Sequence, residues 1–135
     1  MLILLTSKGP VLHWSKRVGR DNALFLMPKF RTMIIDTPNV ATHLLENSFT
    51  HLTPIGAFLR KFSLDELPQV YSVFKGDMTI TGPRPALFNQ HDLIKLRDKN
   101  AVSYLKPGIT GWAQVNGRDE LSIEEKVKFD IEYLS

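Results

Sequence analysis

Three short stretches of the chain hold side chains whose types and spacing could do chemistry. The first is Ser63-Leu-Asp-Glu-Leu-Pro-Gln69. Ser63 with Glu66 three residues later fits a capping box, so the spacing predicts a helix start with Asp65 and Glu66 in its first turn. The helix dipole favours ionised carboxylates there. One such carboxylate can act as a nucleophile while its neighbour holds Mg²⁺. An Asp-Glu pair in that place is also ordinary capping charge. Pro68 has no amide proton to give, so either the start is kinked or regular helix begins at Pro68 itself.

The second stretch runs from Val73 to Pro85 and ends in Gly82-Pro-Arg-Pro85. Two prolines flank Arg84, so its guanidinium loses little freedom on binding, and its fork suits a phosphate or a carboxylate. The plainer reading is a rigid surface turn with Arg84 paired to a nearby acid. The third stretch, Lys106 to Arg118, holds Gly108, Gly111 and Gly117, which permit close backbone approach or positive φ. Asn116-Gly117 signals a tight turn, and Trp112 is expected in the core rather than stacked on a base. The Gly-Lys-Ser/Thr ending of a P-loop is absent. Lys29, Arg31, Arg84 and Arg118 are the candidates for a phosphate-binding cluster, provided that the fold brings them together.

Several elements must position these residues. Residues 11–18 and 23–27 read as short strands, and Gly19-Arg-Asp-Asn22 between them has turn chemistry, which predicts an N-terminal hairpin. Thr37-Pro38 and Thr53-Pro54 each signal a helix start. After the second, Ile55, Phe58, Leu59 and Phe62 make one apolar stripe, with Arg60 and Lys61 pointing elsewhere. A further helix is expected over about 86–99. Another begins at Ser122, where Ser122 and Glu125 form a capping box and Ile123, Val127, Ile131 and Leu134 a buried face. The sum is one helix-rich α+β domain over residues 1–135, with a short N-terminal β-hairpin and few short strands.

Composition narrows the function classes. The chain has 135 residues, 43% of them hydrophobic and 10% aromatic, which suits a globular domain. It has no cysteine, which excludes a disulfide scaffold, a thiolate nucleophile and Cys-ligated metal sites. Its 17 basic and 14 acidic residues leave a formal charge of +3, compatible with an anionic partner. Aromatics do not interleave with a basic run, so nucleic acid is not an expected partner. His13, His43, His51 and His91 show no metal spacing, and no Gly-x-Ser-x-Gly elbow supports a serine hydrolase. The longest apolar run, Met1–Leu5, is far short of the ~20 residues of a membrane-spanning helix.

Taken in order, Lys29-Phe-Arg-Thr-Met33, Ser63–Gln69, Gly76–Pro85 and Pro107–Arg118 resemble the bacterial sugar transferases. These are monotopic polyprenyl-phosphate phosphoglycosyl transferases, which initiate polysaccharide and glycoconjugate synthesis. The resemblance implies transfer of a sugar-1-phosphate from a UDP-sugar to undecaprenyl phosphate, with release of UMP. It implies that Asp65 is the nucleophile and forms a covalent phosphoglycosyl-aspartate, and that Glu66 binds Mg²⁺ and assists. It places Lys29 and Arg84 near the phosphates, with Arg118 closing the third motif. It also implies a membrane surface as partner, at the cytoplasmic face of the bacterial inner membrane for the full-length protein. Against the family pattern the chain is expected to be truncated at both ends, with Met1–Leu5 a remnant of a membrane-embedded segment. The alternative is a non-catalytic domain that binds membranes or polyanions through the same motifs.

Overall fold

The computed structural model describes residues 9–33 and 52–135 of the chain. Met1–Leu5, the helix expected after Thr37-Pro38, and His43 and His51 lie outside the described residues. Among the described residues the architecture is α+β, built from two two-stranded sheets and several short helices. Strands β1 (Leu12–Val18) and β2 (Leu24–Phe30) form the antiparallel hairpin, in register from Leu12↔Phe30 to Val18↔Leu24. The turn is a short 3-10 segment, Arg20–Asn22, in which Asp21 and Asn22 take positive φ. β2 runs three residues past the expected Met27, carrying Lys29 into the sheet opposite His13. Pro28 is tolerated because the outer edge of β2 has no strand paired to it among the described residues.

The helix expected after Thr53-Pro54 starts later, as α1 (Gly56–Lys61), and Thr53 does not cap it. Thr53 is instead tied to the end of the hairpin, its amide bonded to the Thr32 carbonyl at 2.8 Å. Gly56 packs so closely on that strand end that a Cβ would lie 2.1 Å from the same carbonyl oxygen. Ser63 then turns with a φ of 54° into a 3-10 segment, Leu64–Gln69, which passes directly into α2 (Val70–Lys75). The kinked start therefore holds, but the capping box does not: the Ser63 side chain caps nothing. α2 closes on Gly76, and β3 (Thr79–Thr81) follows.

The expected helix over 86–99 is present only as α3 (His91–Lys99). Residues 86–88 run beside the outer edge of β1 instead, with Val18 donating to the Ala86 carbonyl at 2.9 Å. β4 (Gly108–Thr110) pairs in parallel with β3, and α4 (Trp112–Val115) follows it. α5 (Ile123–Leu134) begins with the capping box predicted at Ser122 and Glu125. A core cluster of Ala86, Leu93 and Val127, flanked by Val18, Ile94, Leu96 and Ile123, joins α3 and α5 to the hairpin. Ile131 and Leu134, expected on the buried face of α5, are exposed. Trp112, expected in the core, is 47% exposed, and its indole N–H reaches Glu132 at 2.9 Å. Among the described residues no helix is long and apolar enough to cross a membrane.

Three glycines join the second and third motifs backbone to backbone. A Cβ on Gly108 would sit 2.1 Å from the Gly82 nitrogen, and one on Gly111 would sit 2.2 Å from the Gly82 oxygen. These neighbours are main chain and cannot rotate away. Gly108→Ala is expected to cost about 3 kcal/mol or more in urea unfolding. Gly76→Ala, where φ is +97° but no atom lies within 4 Å, should cost only about 1 kcal/mol.

Candidate active site

The 3-10 segment places Asp65 and Gln69 on its buried side, against the hairpin. Glu66, next in sequence, turns to the Gly82–Pro85 loop. Its Oε1 accepts from Arg84 Nη2 at 2.6 Å, with both side chains largely shielded. This charge-assisted bond takes the carboxylate that a capping box would have used. The second oxygen of Glu66 has no hydrogen bond among the described residues. Among the same residues no other side chain hydrogen-bonds to the Asp65 carboxylate.

The two carboxyls are driven apart electrostatically. Burial pushes Asp65 up, Glu66 beside it adds to the rise, and the charges of Lys29 and Arg60 only partly pull it back. Burial pushes Glu66 up as well. There, however, the charge and hydrogen bond of Arg84, backed by Lys29 and Arg118, outweigh it and hold Glu66 below the usual carboxylate range. Adjacent acids with opposite shifts are what a site needs to give its carboxyls different roles.

The cations are crowded. Lys29 is pushed down to about 7 by burial first, then by the charges of Arg17, Arg84 and Arg60, with Asp65 opposing. Arg17 is pushed down by burial and by Arg84, with Glu66 opposing. The site thus brings together Asp65, Glu66, Lys29, Arg84 and Arg118 of the residues expected from sequence. Arg31 is not among the charges acting on Asp65 or Glu66. It lies beyond the end of β2, buried, donating to the Pro10 carbonyl at 2.7 Å and to that of Gly9 at 3.4 Å, which uses it to close the hairpin base.

Two site residues escaped the sequence reading. Arg60 was placed off the apolar stripe of α1, and off the stripe proves to be the site side: its Nε bonds Thr32 Oγ1 at 2.9 Å, within the field of Asp65. Arg17 alternates with Trp14 and Lys16 on β1 and shares the buried face with Ser15. A cation on the inward face of a strand was the available signal.

A divalent ion fits this donor set. Asp65 and Glu66 offer hard carboxylate oxygens, one of them unbonded on Glu66. No group of three or more His, Cys, Asp or Glu gathers among the described residues. Mg²⁺ at phosphoryl-transfer sites is held in just this way, by one or two carboxylates with substrate phosphates and water completing the shell.

A family model described as "Bacterial sugar transferase" matches residues 1–135. The chain is 39% identical, over 99% of its length, to an Escherichia coli protein named UDP-glucose:undecaprenyl-phosphate glucose-1-phosphate transferase. It is 36% identical, over 93% of its length, to a Salmonella typhimurium protein named undecaprenyl-phosphate galactose phosphotransferase. It spans 30% and 29% of those two proteins. A Bacillus subtilis sugar transferase, EpsL, is 40% identical over 98% of the chain, which spans 64% of it.

Lys29 makes the stability of the site pH-dependent. Between about 7 and the ordinary lysine value the unfolded chain binds a proton that the folded chain does not, so stability rises with pH there. In urea unfolding, wild type should gain about 2 kcal/mol relative to Lys29→Met between about pH 6.5 and about pH 9. A constant difference would mean that Lys29 titrates normally.

Proposed function

The chain belongs to the bacterial sugar transferase family, and from that premise we propose that it transfers a sugar-1-phosphate from a UDP-sugar to undecaprenyl phosphate through a covalent phosphoglycosyl-aspartate on Asp65. The names of the Escherichia coli and Salmonella relatives support the general reaction. The observation that carries the assignment of roles is the unequal treatment of the two acids. Glu66 is engaged by Arg84 at 2.6 Å, while the Asp65 carboxylate has no other side chain bonded to it among the described residues. A carboxylate without such a partner keeps its lone pairs available for attack.

An Asp65 oxygen attacks the sugar-bearing phosphorus of the donor. The new P–O bond forms as the bridging P–O bond breaks, and UMP leaves with the electron pair. An oxygen of the lipid phosphate then attacks the same phosphorus, and the Asp65 carboxylate departs unchanged. Lys29, Arg60, Arg84 and Arg118 surround the acids with positive charge, which offsets the approach of an anionic nucleophile to a diphosphate. Protonated Lys29 is favoured once a diphosphate is present, since the added negative charge reverses part of its depression. Glu66, oriented by Arg84, would hold Mg²⁺ with its other oxygen. When bound, the ion would neutralise charge that builds on the phosphates.

A membrane surface fits the outer side of the same segment. Leu67, Val70, Tyr71 and Phe74 follow one another at helical spacing and are 42–87% exposed. Phe58 on α1 and Phe62 just past its end are also exposed and pack against each other with tilted rings, with Lys61 against Phe62. Aromatic side chains flanked by lysine are suited to an anionic bilayer interface. In the full-length protein the cytoplasmic face of the inner membrane would present both lipid acceptor and UDP-sugar.

Incubation with UDP-glucose or UDP-galactose and Mg²⁺ should release UMP and add a sugar phosphate to wild type but not to Asp65→Asn, as read by intact mass. The same adduct on both proteins would remove Asp65 from the mechanism. Donor binding that ignores Mg²⁺, with no UMP release in the presence of lipid, would favour a non-catalytic polyanion-binding domain. Phe62→Ser combined with Phe74→Ser should weaken cosedimentation with phosphatidylglycerol vesicles about tenfold. Because both rings are exposed, folding stability should change by no more than about 0.5 kcal/mol for each.

A further inference from the structure

The Gly82–Pro85 loop is held almost wholly by its carbonyl oxygens, because Pro83 and Pro85 have no amide proton to give. Four consecutive carbonyls each have a donor. Pro83 O accepts from the Gly108 amide at 3.0 Å and Ala86 O from the Val18 amide at 2.9 Å. The two between them are taken by side chains: Arg84 O by Arg97 Nη1 at 2.8 Å, and Pro85 O by Arg17 Nη1 at 3.1 Å. Arg97 does more than fill a carbonyl. Its Nε donates to Asp130 Oδ2 at 2.9 Å, its Nη2 is ion-paired with the same oxygen at 2.8 Å, and the side-chain exposures of the pair are only 12% and 2%. One guanidinium thus ties α3, α5 and the backbone of Arg84 together.

Stability alone is a poor reason for this arrangement. Burying an ion pair costs desolvation that an apolar pair of equal size would avoid. Leu93 on α3 and Val127 on α5 already supply an apolar contact between these helices. What an apolar pair could not supply is a donor aimed at the Arg84 carbonyl. We propose that Arg97, held by Asp130, is a positioning residue for the reaction: it fixes the backbone of Arg84 so that the Arg84 fork stays on Glu66. The functional meaning rests on the sugar-phosphate transfer reading; the mechanical claim does not. Neither Arg97 nor Asp130 touches the reacting atoms.

Lysine at position 97 can pair with Asp130 but has no planar fork to span the carboxylate and the Arg84 carbonyl together. Asp130→Asn keeps the shape and removes the charge that holds Arg97. Two readouts separate positioning from mere support. In ¹⁵N-labelled wild type, the heteronuclear NOE of the Arg84 Nε–H should match that of the backbone. In Arg97→Lys and Asp130→Asn it should fall while the backbone values elsewhere in the chain stay unchanged. In UMP release, kcat should drop roughly tenfold or more in both variants with the donor KM nearly unchanged. A wild-type Arg84 side chain already as mobile as a free arginine would overturn the proposal without any variant. So would folded variants with an unchanged Arg84 signal. Wild type that releases no UMP would sink the transfer reading, and the Arg84 signal would still decide the positioning claim.

Discussion

The 2.6 Å ion pair between Arg84 and Glu66 is the interaction on which the rest of the site depends. It turns two adjacent and chemically similar acids into unequal ones. Among the described residues Glu66 becomes a held, ionised group with one oxygen to spare, and Asp65 is left buried with no competing side-chain bond. The pair also explains why a sequence shaped like a capping box does not form one. A guanidinium fork offers the carboxylate a charged partner, whereas the helix end offers a neutral amide, and charged hydrogen bonds are about twice as strong. Much of the fold serves to deliver Arg84 to that place. The glycine junction fixes one end of its loop on β4, and the edge of β1 fixes the other.

The same site accumulates positive charge at a cost to the folded state. Arg17 is buried and Lys29 half-buried, and desolvation pushes both down, helped by Arg84 at Arg17 and by Arg17 and Arg84 at Lys29. His13, across the hairpin from Lys29, is held down in the same way, by burial and then by Lys29 and Arg17. Among the described residues Asp65 and Glu66 do not balance Lys29, Arg17, Arg84 and Arg118. A diphosphate would. An anionic ligand would offset the charge crowded among the described residues, so that binding energy compensates repulsion in the free protein.

How much of this was legible in the sequence differs from one element to the next. The hairpin and the Ser122 capping box were readable because local turn and cap chemistry determines them. The motifs around Asp65, Arg84 and Arg118 were readable because ordered, specific strings of residues carry them. Long-range packing was not. Arg31 lies two residues beyond Lys29 and looked equivalent to it, but β2 ends at Phe30, and Arg31 serves the Gly9 and Pro10 carbonyls. Trp112 was assigned to the core on its size, yet its indole N–H finds Glu132 at the surface. The Phe58 and Phe62 stripe had the right period for a buried face and is largely exposed, since periodicity says which residues share a side and not what covers it. Arg97 and Asp130 left no local signal at all; only the tertiary fold brings them together.

Whether Arg84 divides the labour of the two acids can be read in a ¹³C NMR titration of the carboxyl carbons of Asp65 and Glu66 in metal-free protein. Glu66 should titrate below a free glutamate and Asp65 above a free aspartate. Arg84→Ala should bring Glu66 back up. Ordinary values for both carboxyls, or a Glu66 midpoint indifferent to Arg84, would contradict that division.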